Sequence, residues 1–265
     1  MRRVITWRWI LFCTLGLLAC LWVVYPHVLA YGYENLRYGL DPTSARAFEY
    51  GEKHFNATRA SHYDIDRAEY FFNEAAVDPS LPYIYHELAR IAFLKGDFNL
   101  ALARIDLQIS LHGTTTPNSY YVRGLIKGFA GDYAGAVKDY ETYLRTDSRN
   151  WAAINDYAWV LLKADRPKEA LIALDWGLMY WPENPWLHNS RATALFELER
   201  FKDAREAVEA AYRTVGSVDE ADWLEAYPGN DPLIASEGIT AFKKAVEENM
   251  HTITLALEKE LSRMR

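Results

Sequence analysis

From Thr43 to Val215 the hydrophobic and polar positions follow helical spacing, and the arrangement itself recurs. "GDYAGAVKDYETYL", Gly131 to Leu144, repeats the plan of "GDFNLALARIDLQI", Gly96 to Ile109: Gly-Asp-aromatic, two residues, alanine, and an apolar residue four positions on. That alanine returns at Ala68, Ala101, Ala136, Ala170 and Ala204, in steps of 33, 35, 34 and 34. Four residues after each stands Phe72, Ile105, Tyr140, Leu174 or Val208. Twelve residues before the last four stand Ala89, Gly124, Ala158 and Ala192; in the first unit Tyr50-Gly51 takes that place, with five extra residues intervening. Apolar positions three and four apart predict two amphipathic helices per unit. Gly96-Asp97 and Gly131-Asp132 mark the break between them, and Asp165-Arg166-Pro167 and Glu199-Arg200 mark it in units four and five. Pro79, Pro82, Pro117, Pro182 and Pro185 punctuate the joints, and Asn184-Pro185 reads as a helix cap followed by a first turn.

A hairpin of this size cannot bury its apolar face alone, but like stacked on like can. The period and the fixed small residues resemble the tetratricopeptide (TPR) repeat, over about Thr43 to Val215. The resemblance implies an all-α, right-handed solenoid of five hairpins. Two features depart from the pattern: an insertion around Asn56 to Tyr63, and Arg123 and Lys127 at positions that are usually apolar. Arg123 is expected to pair with Asp139 on the second helix of its own hairpin. The resemblance also places one stripe of each first helix on a concave wall that holds a partner segment. In unit two the stripe is Tyr83, His86, Arg90 and Phe93; in unit three, Tyr121 and Leu125. In unit four it is Asn155, Trp159 and Leu162; in unit five, Trp186, Asn189, Thr193 and Phe196. The amides suit a peptide backbone and the aromatics its side chains. The alternative is that these aromatics pack the stack or meet the C-terminal helix folded back into the groove. "WGLMYWPENPW", Trp176 to Trp186, spans the joint of units four and five and is expected to pack one on the other.

After Val215 the repeat fades. Residues 216–265 read as capping helices, with Asp231 capping a start at Pro232. Ile239, Phe242, Val246, Met250, Ile253, Leu257 and Leu261 then mark one face of a long helix. That stripe either caps the solenoid or, as the alternative, pairs with a second copy to make a homo-oligomer through residues 232–264.

The N-terminal pattern is of another kind. Residues 9–30 contain no Asp, Glu, Lys or Arg. As a helix they would span about 33 Å, enough for a hydrocarbon layer of about 30 Å. The expected order is a short cytoplasmic N-terminus (residues 1–8), a transmembrane anchor (9–30), a juxtamembrane linker (31–42), and the repeats. Arg2, Arg3 and Arg8 precede the span, so the repeats are expected on the extracytoplasmic side. "LLAC", Leu17 to Cys20, also resembles a bacterial lipoprotein cleavage box, which leaves lipidation at Cys20, or an ordinary cleaved signal, as alternatives.

Composition narrows the chemistry. Net charge is −7 and the three early arginines leave −10 for the remainder, which argues against nucleic acid as partner. Cys13 and Cys20 are the only cysteines, so the body of the chain has neither a thiolate metal site nor a cysteine nucleophile. No HExxH, P-loop or G-x-S-x-G motif occurs. The expectation is a membrane-anchored interaction scaffold or assembly factor for another protein, with no enzymatic activity and no cofactor. A self-associating membrane scaffold is the alternative.

Overall fold

The computed structural model describes Gly16, residues 26–56 and residues 60–264. Most of the expected membrane span, and Cys20 with it, lies outside these residues. No helix among the described residues is long and apolar enough to cross a membrane. The described chain is all-α, with thirteen α-helices and no strand.

Five hairpins form the body. They are α2 (Ser44–Phe55) with α3 (Ile65–Ala75), α4 (Ile84–Leu94) with α5 (Phe98–His112), and α6 (Asn118–Phe129) with α7 (Tyr133–Leu144). Then come α8 (Trp151–Lys163) with α9 (Pro167–Tyr180), and α10 (Pro185–Glu197) with α11 (Phe201–Val215). Side chains of Thr43, Asp64, Asp97, Asp132, Asn150 and Asn184 each accept from the backbone N–H three residues on, satisfying a donor the helix start leaves open. The break inside the hairpins of units two to five is one left-handed residue. Gly96 (φ +79°) and Gly131 (φ +88°) supply it in units two and three; Asp165 and Glu199, both at φ +58°, supply it in units four and five. A side chain in that region costs roughly 1–2 kcal/mol, a strain that the two glycines avoid.

The recurring alanines Ala68, Ala101, Ala136, Ala170 and Ala204 are all fully buried, as are Phe72, Ile105, Tyr140, Leu174 and Val208. The small residue of the first helix meets the large one of the second. A Cβ on Gly51 would lie 2.6 Å from the Phe72 ring, and one on Gly124 would lie 3.1 Å from the Tyr140 ring. The same contact therefore builds units one and three. Arg123 forms the expected two-pronged pair with Asp139 (2.9 and 2.6 Å), and Lys127 joins the same carboxylate at 2.8 Å. The two departures from the apolar pattern thus neutralise one buried acid. Trp176 and Trp181 donate through their indole N–H groups to the carbonyls of Ser148 and Arg149, fastening α9 to the joint before α8.

Both ends are capped. Residues 26–40, expected in part as membrane span and in part as linker, form helix α1 (Pro26–Leu40). It docks on unit one through Glu34, only 3% exposed, which is paired with Lys53, His54 (2.8 Å) and Arg67 (3.0 Å). At the other end, α12 (Glu220–Ala226) and a 3₁₀ turn (Pro232–Ile234, capped by Asp231) lead into α13 (Ala235–Arg263). Ile239, Val246 and Ile253 of α13 are buried with α11 residues in one core, with Phe242 and Met250 packed at its edge. The stripe proposed for self-association is thus largely consumed within the chain, because it covers the apolar face that α11 would otherwise leave open.

Candidate partner-binding groove

The groove follows from what one short segment touches. The Pro228 carbonyl accepts from Arg90 of α4 (2.8 Å), and the Gly229 carbonyl from the Tyr63 hydroxyl in unit one (3.0 Å). Gly229 also packs on Phe55 of α2. Ala226 and Pro228 border a cavity of about 360 Å³ shared with Tyr121 of α6 and Trp151 of α8. Tyr227 lies beside Asp156 of α8 and Trp186 of α10, although its hydroxyl and the buried Trp186 indole nitrogen do not reach hydrogen-bond geometry. Residues 226–229 thus bond to α4 and the unit-one loop, pack on α2, and border a cavity lined by α6 and α8. The first helices beside this segment form the wall of the groove that the repeat resemblance implies.

Along that wall each expected residue has a definite place. Arg90 is held by Glu87 (2.6 Å) and Asn56 (3.3 Å) and lies 4.7 Å over the Phe55 ring. Tyr121 stacks on Tyr143 at 5.4 Å and donates to Asp156 of the next unit (2.9 Å). Asn155 accepts from Ser190 (2.7 Å), again tying one unit to the next. Phe93, Phe129 and Trp159 form an aromatic ladder across units two to four, with ring separations of 5.3 and 5.1 Å, and Phe129 is 55% exposed. Leu125 and Leu162 are half-buried.

The remaining positions differ from the expectation. Tyr83 precedes α4 as its cap, in a left-handed conformation (φ +71°), and sits edge-on to His86. His86 is buried between hairpins: its Nδ1 lies 3.1 Å from Ser119 Oγ, and its backbone N–H donates to Gln108. Burial, reinforced by the Arg90 charge, lowers the imidazole to about 3. It belongs to the stack because α6 covers it. In unit five, Trp186 stacks on Phe242 of α13 (4.7 Å, 3° between planes) and Asn189 accepts from Asn249 (2.9 Å). Thr193 bonds back to the Asn189 carbonyl and Phe196 packs on Phe201. The wall of unit five is therefore covered by the chain's own C-terminal helix.

Two acids on the wall have unusual proton affinity. Burial pushes Glu87 up to about 7 against the pull of Arg90, with the Glu52 charge adding to the rise. Burial likewise raises Asp156 to about 6, only partly countered by hydrogen bonds from Tyr121 and Asn155. Phe55, Tyr63, Phe129 and Asp156 escaped the sequence reading. Phe129 lies four residues past Leu125, one helical turn beyond the expected stripe, and Tyr63 lies in the inserted loop.

Solved structures share this arrangement of helices. A crystal structure of MamA protein aligns with a TM-score of 0.55 at 16% identity, covering 65% of this chain and 92% of that one. The fold is MamA-like. MamA from AMB-1 aligns with a TM-score of 0.54 at 15% identity (66% and 99% covered), and MamA from MSR-1 with 0.53 at 15% (64% and 96%). At such identity the likeness to MamA concerns the fold alone. No protein-family model and no curated protein sequence matches this chain.

Proposed function

We propose that this protein is a membrane-anchored, TPR-like interaction scaffold that holds a segment of another protein in its concave groove, with the repeats on the extracytoplasmic side. The observation that supports this reading is the groove's existing content. Its wall grips residues 226–229 through main-chain carbonyls and aromatic faces, which is how a surface of this kind holds an extended segment of any origin. The charge-free stretch 9–30, whose last five residues begin the helix α1 that docks on unit one, supports the tether. In this reading the protein holds partners and catalyses nothing.

The test is the pair Asn155→Ala and Trp159→Ala together, with partner recovery and helical content measured side by side. Lost partner binding with unchanged helical content supports the groove. Undiminished binding by the folded double variant moves the site elsewhere. Self-association is a second reading. Leu261 (50% exposed) lies at the far end of α13, where its apolar stripe runs on past the buried Ile253. A monomer at all concentrations removes it.

A further inference from the structure

The strongest unexplained contact joins the two ends of the solenoid. Residues 227–230 read Tyr-Pro-Gly-Asn, and the Asn230 N–H donates to the Tyr227 carbonyl (3.3 Å) with Gly229 at φ +84°. Proline at the second position and a left-handed glycine at the third define a type II turn. The turn fits a built pocket. Arg90 and the Tyr63 hydroxyl take its two successive carbonyls, and Phe55 closes the floor. Glu87 and Asn56 hold the same guanidinium from the wall side. A Cβ at Gly229 would fall 2.5 Å from the Arg90 guanidinium and 3.0 Å from the Phe55 ring, so a side chain there displaces Arg90 from its grip and adds the strain of φ +84°.

The grip is also partial. Tyr227 and Pro228 remain exposed, and cavities of about 360 and 450 Å³ flank the turn. Apart from the turn, the segment is anchored by the buried Trp223, which packs over Gly238 of α13 and against the Tyr227 ring (5.2 Å). Releasing the turn therefore leaves the C-terminal cap in place.

We infer that Arg90, Tyr63 and Phe55 form a recognition pocket for an aromatic-Pro-Gly turn, that the chain fills this pocket with its own Tyr227-Pro228-Gly229, and that a protein partner enters the groove by presenting such a turn and displacing the internal one. This rests on the groove reading above and names the chemistry of its ligand. The pocket reads backbone carbonyls and the absence of a side chain, so the rest of the partner segment is free to vary. The internal turn acts as a tethered competitor at an effective concentration of roughly millimolar, which weakens any external turn in proportion.

The experiment uses the full-length chain in detergent micelles and a fluorescent synthetic peptide of residues 219–231, read by anisotropy. Gly229→Val in the protein ejects the internal turn, and circular dichroism verifies that the helices remain. The opened protein is expected to bind the peptide at least about tenfold more tightly than the unaltered protein. Adding Tyr63→Phe or Arg90→Met should remove that gain, and a peptide carrying Gly229→Val should bind neither form. Equal affinity of opened and unaltered protein, no binding to either, or equal binding of both peptides overturns the inference. A cellular partner that crosslinks from the groove but lacks the turn overturns it as well, while leaving the groove reading intact.

Discussion

Gly51→Ala is the sharpest test of the repeat register, because two effects of known size oppose each other. Alanine is favoured over glycine in a helix interior by about 1 kcal/mol. The new Cβ, however, would sit 2.6 Å from two carbons of the Phe72 ring and 2.9 Å from a third. Carbon pairs rest at about 3.5–4.0 Å, so the overlap approaches 1 Å. Phe72 is fully buried and held between Phe48 (5.5 Å) and Phe55 (6.3 Å), with little room to retreat. Overpacking of this kind costs roughly 1–3 kcal/mol, and the contact argues for the upper end. The net loss is then about 1–2 kcal/mol, a fall in Tm of roughly 3–6 °C for a chain of this size. Gly32→Ala in α1 is the control: it has nothing within 4 Å and should raise Tm by about 2–4 °C. Thermal unfolding by far-UV circular dichroism reads both. In the Gly51→Ala background, Phe72→Leu should cost less than it does alone, by about 1–2 kcal/mol of coupling. Shifts of the same sign for Gly51 and Gly32, or strict additivity with Phe72, would refute the reasoning.

Four further outcomes are expected. Asp165→Gly and Glu199→Gly should each stabilise the fold by up to about 1 kcal/mol in denaturant titration, because both positions carry a side chain in the left-handed region. Asp139→Asn should cost about 2–3 kcal/mol, below the roughly 3–5 of a wholly buried pair because Arg123 keeps some contact with water. Burial alone would raise Glu34, yet hydrogen bonds from His54, Lys53 and Arg67 and the His54 charge bring it down to about 2. Its folded value lies below its unfolded value near 4.5, so its contribution is complete above about pH 4.5 and is lost as pH falls toward 2. Glu34→Gln should flatten that acid limb in pH-dependent unfolding. A reporter fused after Arg265 should behave as extracytoplasmic and Cys20→Ser should leave membrane attachment intact; fractionation and reporter activity check both.

The repeat was legible because stacking demands the same residue sizes at the same places. The buried alanines, the residues four positions after them and the Arg123–Asp139 pair all come from one local rule. The stripe was legible where no distant helix covers it: Arg90 meets the 226–229 turn, and Tyr121, Asn155 and Trp159 meet adjacent units. His86 and Trp186 have the same helical spacing but lie under α6 and α13, and spacing within one helix does not reveal a neighbour from elsewhere in the chain. Glu34 illustrates the same limit. In residues 31–42 it reads as one charge in a linker, and its burial becomes affordable only when His54 and Arg67 arrive from unit one. The Tyr-Pro-Gly-Asn turn could be recognised as a turn, but its pocket lies 166 residues away at Tyr63.

The most direct measurement places a photocrosslinking amino acid at Phe129, exposed on the aromatic ladder, and separately at Ile172, 70% exposed on α9, a second helix outside the wall. Both full-length chains are irradiated in their native membrane. The account predicts a discrete partner adduct from position 129 that grows stronger when Gly229→Val opens the groove, and none from position 172. An adduct from position 172 alone, or one from position 129 that Gly229→Val leaves unchanged, would contradict it.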